Sequence, residues 1–183
     1  MGEDLPLGWV PVEARGSLPF ALVHGESLVA AASWALGEAG VMLFDASVSF
    51  DQVRESGRAL VLHDPLCPLT PVDFIATAVE RAEETQAVVV GCRPVTDTVK
   101  RAADGVLGET VDRSDLRAVT SPIVLPAHVV AALDHLDTSD FPALVAALAE
   151  KAEIVWLEAP PLSRRVRDEA DLADLEALSR AQQ

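Results

Sequence analysis

Short runs of β-branched and aliphatic residues alternate along this chain with longer segments of helical period. The runs lie at residues 9–12, 41–44, 59–62 and 87–91. Such alternation is typical of βα units, in which parallel strands are covered by helices. The runs are continuously apolar, which indicates strands that are buried on both faces. The sequence therefore predicts an α/β fold with a mostly parallel sheet flanked by helices.

Two helices are well marked between these strands. Ser27 is a good N-cap for a helix over residues 28–38, which is apolar on nearly all sides and is expected to be well buried. A second helix is predicted from Pro71 to about Thr85, with Thr70 as its cap. Further helices are expected at residues 126–135, 141–151 and 169–180, and further strands at residues 121–125 and 154–157.

Residues 94–111 depart from this pattern. Thr and Val residues favour extended backbone on both sides of Asp104-Gly105, which is a turn signal. We therefore expect a β-hairpin arm that leaves the main sheet. The chain shows no internal repeat and no long linker, so a single domain over residues 1–183 is expected.

Charge and cysteine usage exclude several classes of function. The 29 acidic residues outnumber the 14 basic ones, and the formal net charge of −15 repels phosphate backbones and anionic lipids. The N-terminus is acidic without a basic leader, and the apolar runs fall far short of the roughly 20 residues that span a bilayer. We expect neither nucleic acid nor a membrane as a partner, and a cytoplasmic location. The Cys and His spacing predicts neither a disulfide framework nor a zinc site.

The tryptophans and cysteines are expected in the core. Trp9, Trp34 and Trp156 lie in predicted strands or in the buried helix, where packing is the usual role of such large side chains. Cys67 and Cys92 lie in or beside apolar runs, where small buried thiols are common.

Three segments carry side chains suited to chemistry. His63-Asp64 follows a predicted parallel strand, and ligands of open α/β sheets bind outside the carboxyl ends of the strands. A carboxylate there can hold Mg²⁺ or a sugar hydroxyl, or simply begin a turn before Pro65. Hydroxyl and guanidinium groups on both sides of the hairpin suit phosphate capture, although an exposed hairpin also carries such residues for solubility. The basic run at residues 164–167 is either a phosphate site or a solvated loop.

Three blocks of sequence carry a resemblance to a known family. They are Val61-Leu62-His63-Asp64, Pro94-Val95-Thr96-Asp97-Thr98-Val99-Lys100-Arg101 and Thr110-Val111-Asp112-Arg113-Ser114-Asp115-Leu116. In this order they resemble the central part of the methylerythritol-phosphate cytidylyltransferase (IspD) family. The resemblance implies a Rossmann-like nucleotidyltransferase domain whose β-arm hooks around a second subunit to form a homodimer. The implied reaction is transfer of CMP from CTP to a sugar-alcohol phosphate, with Mg²⁺, in isoprenoid biosynthesis.

The resemblance also implies roles for individual residues. Asp64 corresponds to a substrate-side Asp and is expected to act in catalysis and to hold Mg²⁺ or a substrate hydroxyl. Thr98 and Arg113 are expected to bind the substrate phosphate from the partner's arm. Arg165 stands where the family carries a Lys, and it is expected to bind the same phosphate. Arg15 is the candidate for a catalytic Arg of the nucleotide loop.

The departures from the family pattern lie on the nucleotide side. Family members carry a Gly-rich loop with an Arg after the first strand and then a Pro-Lys-Gln element, and these groups cradle the triphosphate of CTP. Residues 11–20 here contain one Gly, and Phe20 stands in the place of the Lys. Because nucleotidyl transfer depends on charge neutralisation by cations and amides, we expect CTP binding to be impaired. The alternative is a non-catalytic homologue that binds a sugar phosphate or acts as a dimeric scaffold.

Overall fold

A six-stranded sheet forms the centre of the protein in a computed structural model that describes residues 5–95, 100–103, 106–110 and 116–181. The strands in spatial order are β10 (Ile154–Glu158), β6 (Val88–Pro94), β9 (Arg117–Leu125), β5 (Leu60–Leu62), β1 (Leu7–Trp9) and β4 (Met42–Leu43). Neighbouring strands are parallel except at β9, which runs antiparallel to both β5 and β6. The predicted α/β fold with a mostly parallel sheet is therefore confirmed. Strand β1 shares only Trp9 with the predicted run at residues 9–12, and β6 continues three residues further than predicted.

Helices cover both faces of this sheet. They are α1 (Leu28–Glu38), α2 (Phe50–Glu55), α3 (Val72–Thr85), α4 (Ala127–Ala131), α5 (Phe141–Ala149) and α6 (Glu169–Arg180). On β5, Leu60 and Leu62 face a core shared with α2, α4 and α5, whereas Val61 faces a core shared with α1 and α3. Burial on both faces explains why the strand is continuously apolar. Among the described residues, no helix is long and apolar enough to cross a membrane.

Local capping accounts for several helix boundaries. The Ser27 hydroxyl accepts a hydrogen bond from the Ala30 amide at 3.3 Å, as predicted for the start of α1. The prediction of Thr70 as the cap of α3 is wrong. Pro71 is the N-cap residue, and the Thr70 hydroxyl instead donates to the Cys67 carbonyl at 2.9 Å. Helix α6 has the predicted bounds, whereas α4 ends four residues early.

The prediction that all three tryptophans pack in the core is wrong for two of them. Trp34 is 64% exposed, because α1 buries one face against the sheet and Trp34 lies on the opposite face. Trp156 is partly exposed on β10, an edge strand of the sheet, with the Arg117 guanidinium 5.7 Å from its ring centre. Trp9 packs against the core, and both cysteines are buried and free, as expected.

The predicted hairpin forms a two-stranded sheet of its own. Strands β7 (Lys100–Ala103) and β8 (Val106–Thr110) pair antiparallel, apart from the six-stranded sheet. The hairpin follows β6 and precedes β9, whose ends pair at Pro94 and Arg117. Asp104-Gly105, the predicted turn, lies outside the described residues. A second small hairpin, β2 (Leu22–Val23) with β3 (Glu26–Ser27), was not predicted.

Two glycines offer a matched test of the packing beneath the sheet. A Cβ on Gly8 of β1 would lie 2.5 Å from Val41 Cγ1, and the Val side chain is too stiff to move aside at no cost. A Cβ on Gly37 of α1 would meet nothing within 4 Å. Gly8→Ala is therefore expected to lower the free energy of unfolding by about 1–3 kcal/mol, and Gly37→Ala to raise it by about 0.5–1 kcal/mol. Urea unfolding of the two variants checks both signs, and equal effects would contradict this description of the packing.

Candidate active site

The Asp64 carboxylate is held between two arginines from distant parts of the chain. Asp64 is buried two residues beyond the end of β5. Its Oδ1 accepts from Arg15 Nε at 2.9 Å and from the Leu66 amide at 3.0 Å. Its Oδ2 accepts from Arg165 Nε at 2.8 Å. We refer to Arg15, Asp64 and Arg165 as the arginine clamp, and it joins three of the predicted site residues.

The two arginines also keep Asp64 ionised. Burial alone would raise the pKa of this carboxyl group. The positive charge of Arg15 and the hydrogen bond and charge of Arg165 outweigh that effect, so the pKa of Asp64 lies below its ordinary value. The clamp is therefore a carboxylate between two cations at neutral pH, with a net positive charge.

Ser121 fixes the backbone of the clamp, and sequence reasoning did not identify it as a site residue. Its Oγ accepts a hydrogen bond from the Asp64 amide at 2.8 Å and also contacts His63 Nδ1. Burial lowers the pKa of His63 to about 4, so the imidazole is neutral at pH 7. The contact depends on the antiparallel pairing of β5 with β9, for which the sequence carries no local signal.

Arg15 is directed into the protein. Besides Asp64, its guanidinium donates from Nη1 to the Glu13 carbonyl at 2.7 Å and from Nη2 to the Thr138 carbonyl at 3.0 Å. The group lies 5.2 Å from the centre of the Phe141 ring, and only 1% of the side chain is exposed. Each of its three nitrogens therefore makes a hydrogen bond within the protein.

Arg165 instead faces an open groove. Its side chain is 42% exposed, and within the described part of the chain only its Nε has a hydrogen-bond partner. The groove is also lined by Ser17, Phe20, Arg167, Asp168 and Glu169. Arg165 thus lines the groove with a guanidinium group that is held through Nε, and such a group suits recognition of a phosphate or carboxylate.

The surroundings of Asp64 do not fit a metal ion in this arrangement. Mg²⁺ binds through oxygen ligands, and here both carboxylate oxygens face N–H donors. Over the described ranges, no three His, Cys, Asp or Glu side chains lie close enough together to hold a metal. Asp64 therefore acts here as a hydrogen-bond acceptor for two arginines, and the predicted metal ligand role does not fit this arrangement.

The structure describes the basic run at residues 164–167 but not the two remaining predicted site residues. Thr98 and Arg113 lie outside the described residues. Arg164 and Arg167, beside Arg165, bind Asp171 at 3.3 Å and 2.8 Å and so join the basic run to α6. The 164–167 segment is a loop whose three arginines pair with acidic side chains, and its use as a phosphate site stays a prediction.

Comparison with solved structures defines the class of protein. The fold matches the crystal structure of 2-C-methyl-D-erythritol 4-phosphate cytidylyltransferase from Thermus thermophilus with a TM-score of 0.69 and 21% identity, over 97% of this chain and 99% of that chain. The α/β sheet with its separate hairpin is thus a Rossmann-like nucleotidyltransferase fold.

Sequence comparison then defines the family. The family model of 2-C-methyl-D-erythritol 4-phosphate cytidylyltransferase (IspD) matches residues 46–158, more than half of the chain. The chain belongs to this family, as the sequence blocks indicated.

Two curated relatives show how far the similarity extends. The chain is 31% identical over 160 residues to the enzyme of this name from Corynebacterium glutamicum, covering 82% of this chain and 59% of that protein. It is 35% identical over 112 residues to the one from Bacillus licheniformis, covering 56% and 46%. The chain thus spans about half the length of the curated relatives it matches.

Proposed function

We propose that this protein acts on the sugar phosphate of the IspD reaction in isoprenoid biosynthesis, and that its binding of CTP is impaired. Its relatives carry the name of a cytidylyltransferase that acts on methylerythritol phosphate. The groove beside the arginine clamp supplies the site for the sugar-alcohol phosphate, while CMP transfer from CTP is slow or absent.

The observation that carries this proposal is the inward direction of Arg15. It is the one Lys or Arg residue in the segment between β1 and α1. All three of its guanidinium nitrogens bind within the protein. A triphosphate bears several negative charges, and a loop that neutralises none of them binds it poorly. Phe20, in the place of the family Lys, lines the groove and is exposed.

The sugar-phosphate side, in contrast to the nucleotide loop, offers a positively charged group to a ligand. Asp64 orients Arg165 through Nε, which leaves the outer edge of the guanidinium for an anion. Fixing the fork in advance lowers the entropy lost on binding. Thr98 and Arg113 are proposed to complete the phosphate site from a partner subunit.

Nucleotidyltransferases typically use a divalent metal ion, which neutralises phosphate charge during transfer. The clamp geometry does not fit such an ion on Asp64. In this proposal the positive charge on the protein side comes from Arg165.

Calorimetric titration with CTP and Mg²⁺, and separately with methylerythritol phosphate, tests the proposal. We expect binding of the sugar phosphate, loss of that binding in an Arg113→Ala variant, and no CTP binding in the micromolar range. Micromolar CTP binding would contradict the proposal that the nucleotide site is impaired.

The second candidate function is a dimeric scaffold, which the separate hairpin sheet β7–β8 favours. Edge strands outside the main sheet are available for pairing with another chain. We propose a homodimer assembled through this arm. Failure to bind either ligand in the titration, together with a dimeric mass in solution, would favour the scaffold over the sugar-phosphate site.

A further inference from the structure

An apolar cavity of about 100 Å³ lies beside the arginine clamp. Its walls come from β1, the segment after β4, α2, β5 and the segment between α4 and α5. The lining residues are Trp9, Phe44, Val48, Phe50, Val53, Leu60, Leu62, Leu136 and Thr138. The cavity is partly open, because several of these side chains are only half-buried.

The position of the cavity is typical of a ligand site. Trp9 and Leu62 are the last residues of two parallel strands, and ligands of α/β sheets bind outside these carboxyl ends. Asp64 follows Leu62 by two residues. Thr138 connects the cavity to the clamp, since its carbonyl accepts the hydrogen bond from Arg15 Nη2.

Aromatic side chains are concentrated at this cavity. The whole chain has eight Trp and Phe residues and no Tyr. Three of the eight, Trp9, Phe44 and Phe50, line the cavity. The rings of Trp9 and Phe44 meet edge to face with their centres 4.9 Å apart. This contact holds both rings in place in the wall of the cavity.

The chemistry of the walls limits the ligand. Among the described residues that line the cavity, only Thr138 has a hydroxyl, and none is charged. A polar base such as cytosine would bury carbonyl and amino groups with too few partners, which costs more than the ring burial returns. An apolar cavity of about 150 Å³ in another protein takes benzene. The cavity here is about 100 Å³ and partly open, so one small ring is the largest group that it suits.

We propose that this cavity is a binding site for a small uncharged apolar group, of the size of a single aromatic ring. The site is separate from the sugar-phosphate groove and does not depend on the proposed function. A ring in the cavity contacts Trp9, Phe44 and Leu136 and excludes water from the half-open wall.

Fluorescence of Trp9 gives a direct test. Trp34 and Trp156 are both exposed, so a Trp34→Phe, Trp156→Phe protein keeps its core and leaves Trp9 as the single tryptophan. Titration with benzene is expected to change the Trp9 emission in a saturating manner, with a Kd on the order of 1 mM. Cytosine, a polar ring of similar size, is expected to give no saturable change. A change that never saturates with benzene would show a non-specific solvent effect and overturn the proposal.

Cavity variants separate a site from general hydrophobic binding. Leu136→Phe fills the space and is expected to weaken benzene binding at least tenfold. Leu69→Phe makes the same change at a partly buried position in another cluster and is expected to leave binding unaltered. Leu136→Ala enlarges the cavity and is expected to admit para-xylene, which remains informative even if the Phe variant folds poorly. Equal benzene binding by the two Phe variants, or no gain of para-xylene binding by the Ala variant, would contradict the assignment.

Discussion

Replacement of Asp64 by Asn is expected to lower the free energy of unfolding by about 3–5 kcal/mol. The change leaves Arg15 with its positive charge in place and its side chain 1% exposed. The Asn amide keeps one oxygen, so either the Oδ1 side (Arg15 and the Leu66 amide) or the Oδ2 side (Arg165) faces an NH2 group instead of an acceptor. Breaking a buried ion pair from one side is costly because the remaining charge stays desolvated. Thermal unfolding should show a fall in Tm of roughly 10 °C for a protein of this size.

Asp51→Asn is the matched control. It removes the same charge from a carboxylate that accepts from Arg54 at 2.9 Å but is 69% exposed. An exposed pair contributes about 1 kcal/mol or less, so this variant should unfold close to the wild-type temperature. Similar falls in Tm for the two variants would mean that the burial of Arg15 and Asp64 does not determine the cost of the substitution.

The difference between wild type and Asp64→Asn should depend on pH. Burial alone would raise the pKa of Asp64. The charges of Arg15 and Arg165 outweigh burial and hold this pKa below its ordinary value in the folded protein. A lowered pKa contributes stability above the unfolded pKa near 4, and that contribution is lost as the pH falls through the folded value. The gap in Tm should therefore be constant near neutrality and shrink below about pH 4. A gap that widens in acid would contradict this assignment of charges.

The parts of the fold that sequence predicted well are those set by local patterns. The bounds of α1 and α6 follow from helical periodicity, and the predicted cap of α1 at Ser27 is present. Strand β5 is continuously apolar because both of its faces are covered. The hairpin was predicted from Thr and Val spacing around a turn signal.

The parts that sequence missed depend on pairings between distant segments. Arg15 suggested a nucleotide-loop cation, but its direction is set by Asp64 and by the Thr138 carbonyl, which lies 123 residues further on. Trp34 was predicted in the core because α1 is apolar on nearly all sides. Its sequence does not indicate which side packs against the sheet. The role of Ser121 required the antiparallel pairing of β9 with β5, and strand direction leaves no local signal.

Arg165→Gln is expected to weaken binding of the sugar phosphate by about 10- to 100-fold, the usual worth of a charge-assisted hydrogen bond. Because its Nε is held by Asp64 Oδ2, the guanidinium that lines the groove is already ordered before an anion binds. The Gln side chain supplies neither the positive charge nor the planar pair of N–H donors of a guanidinium group. Stability should change by about 1 kcal/mol or less, since Arg165 is 42% exposed.

Arg164→Gln provides the control for net charge. Arg164 has the same 42% exposure but binds Asp171 and is not part of the groove lining. It should leave the affinity nearly unchanged, so equal losses in the two Gln variants would place the phosphate elsewhere. The affinity of Arg165→Lys for methylerythritol phosphate should lie between the affinities of wild type and Arg165→Gln. A single ammonium keeps the charge, but it lacks the planar fork that binds Asp64 on one side while presenting two fixed donors to the phosphate.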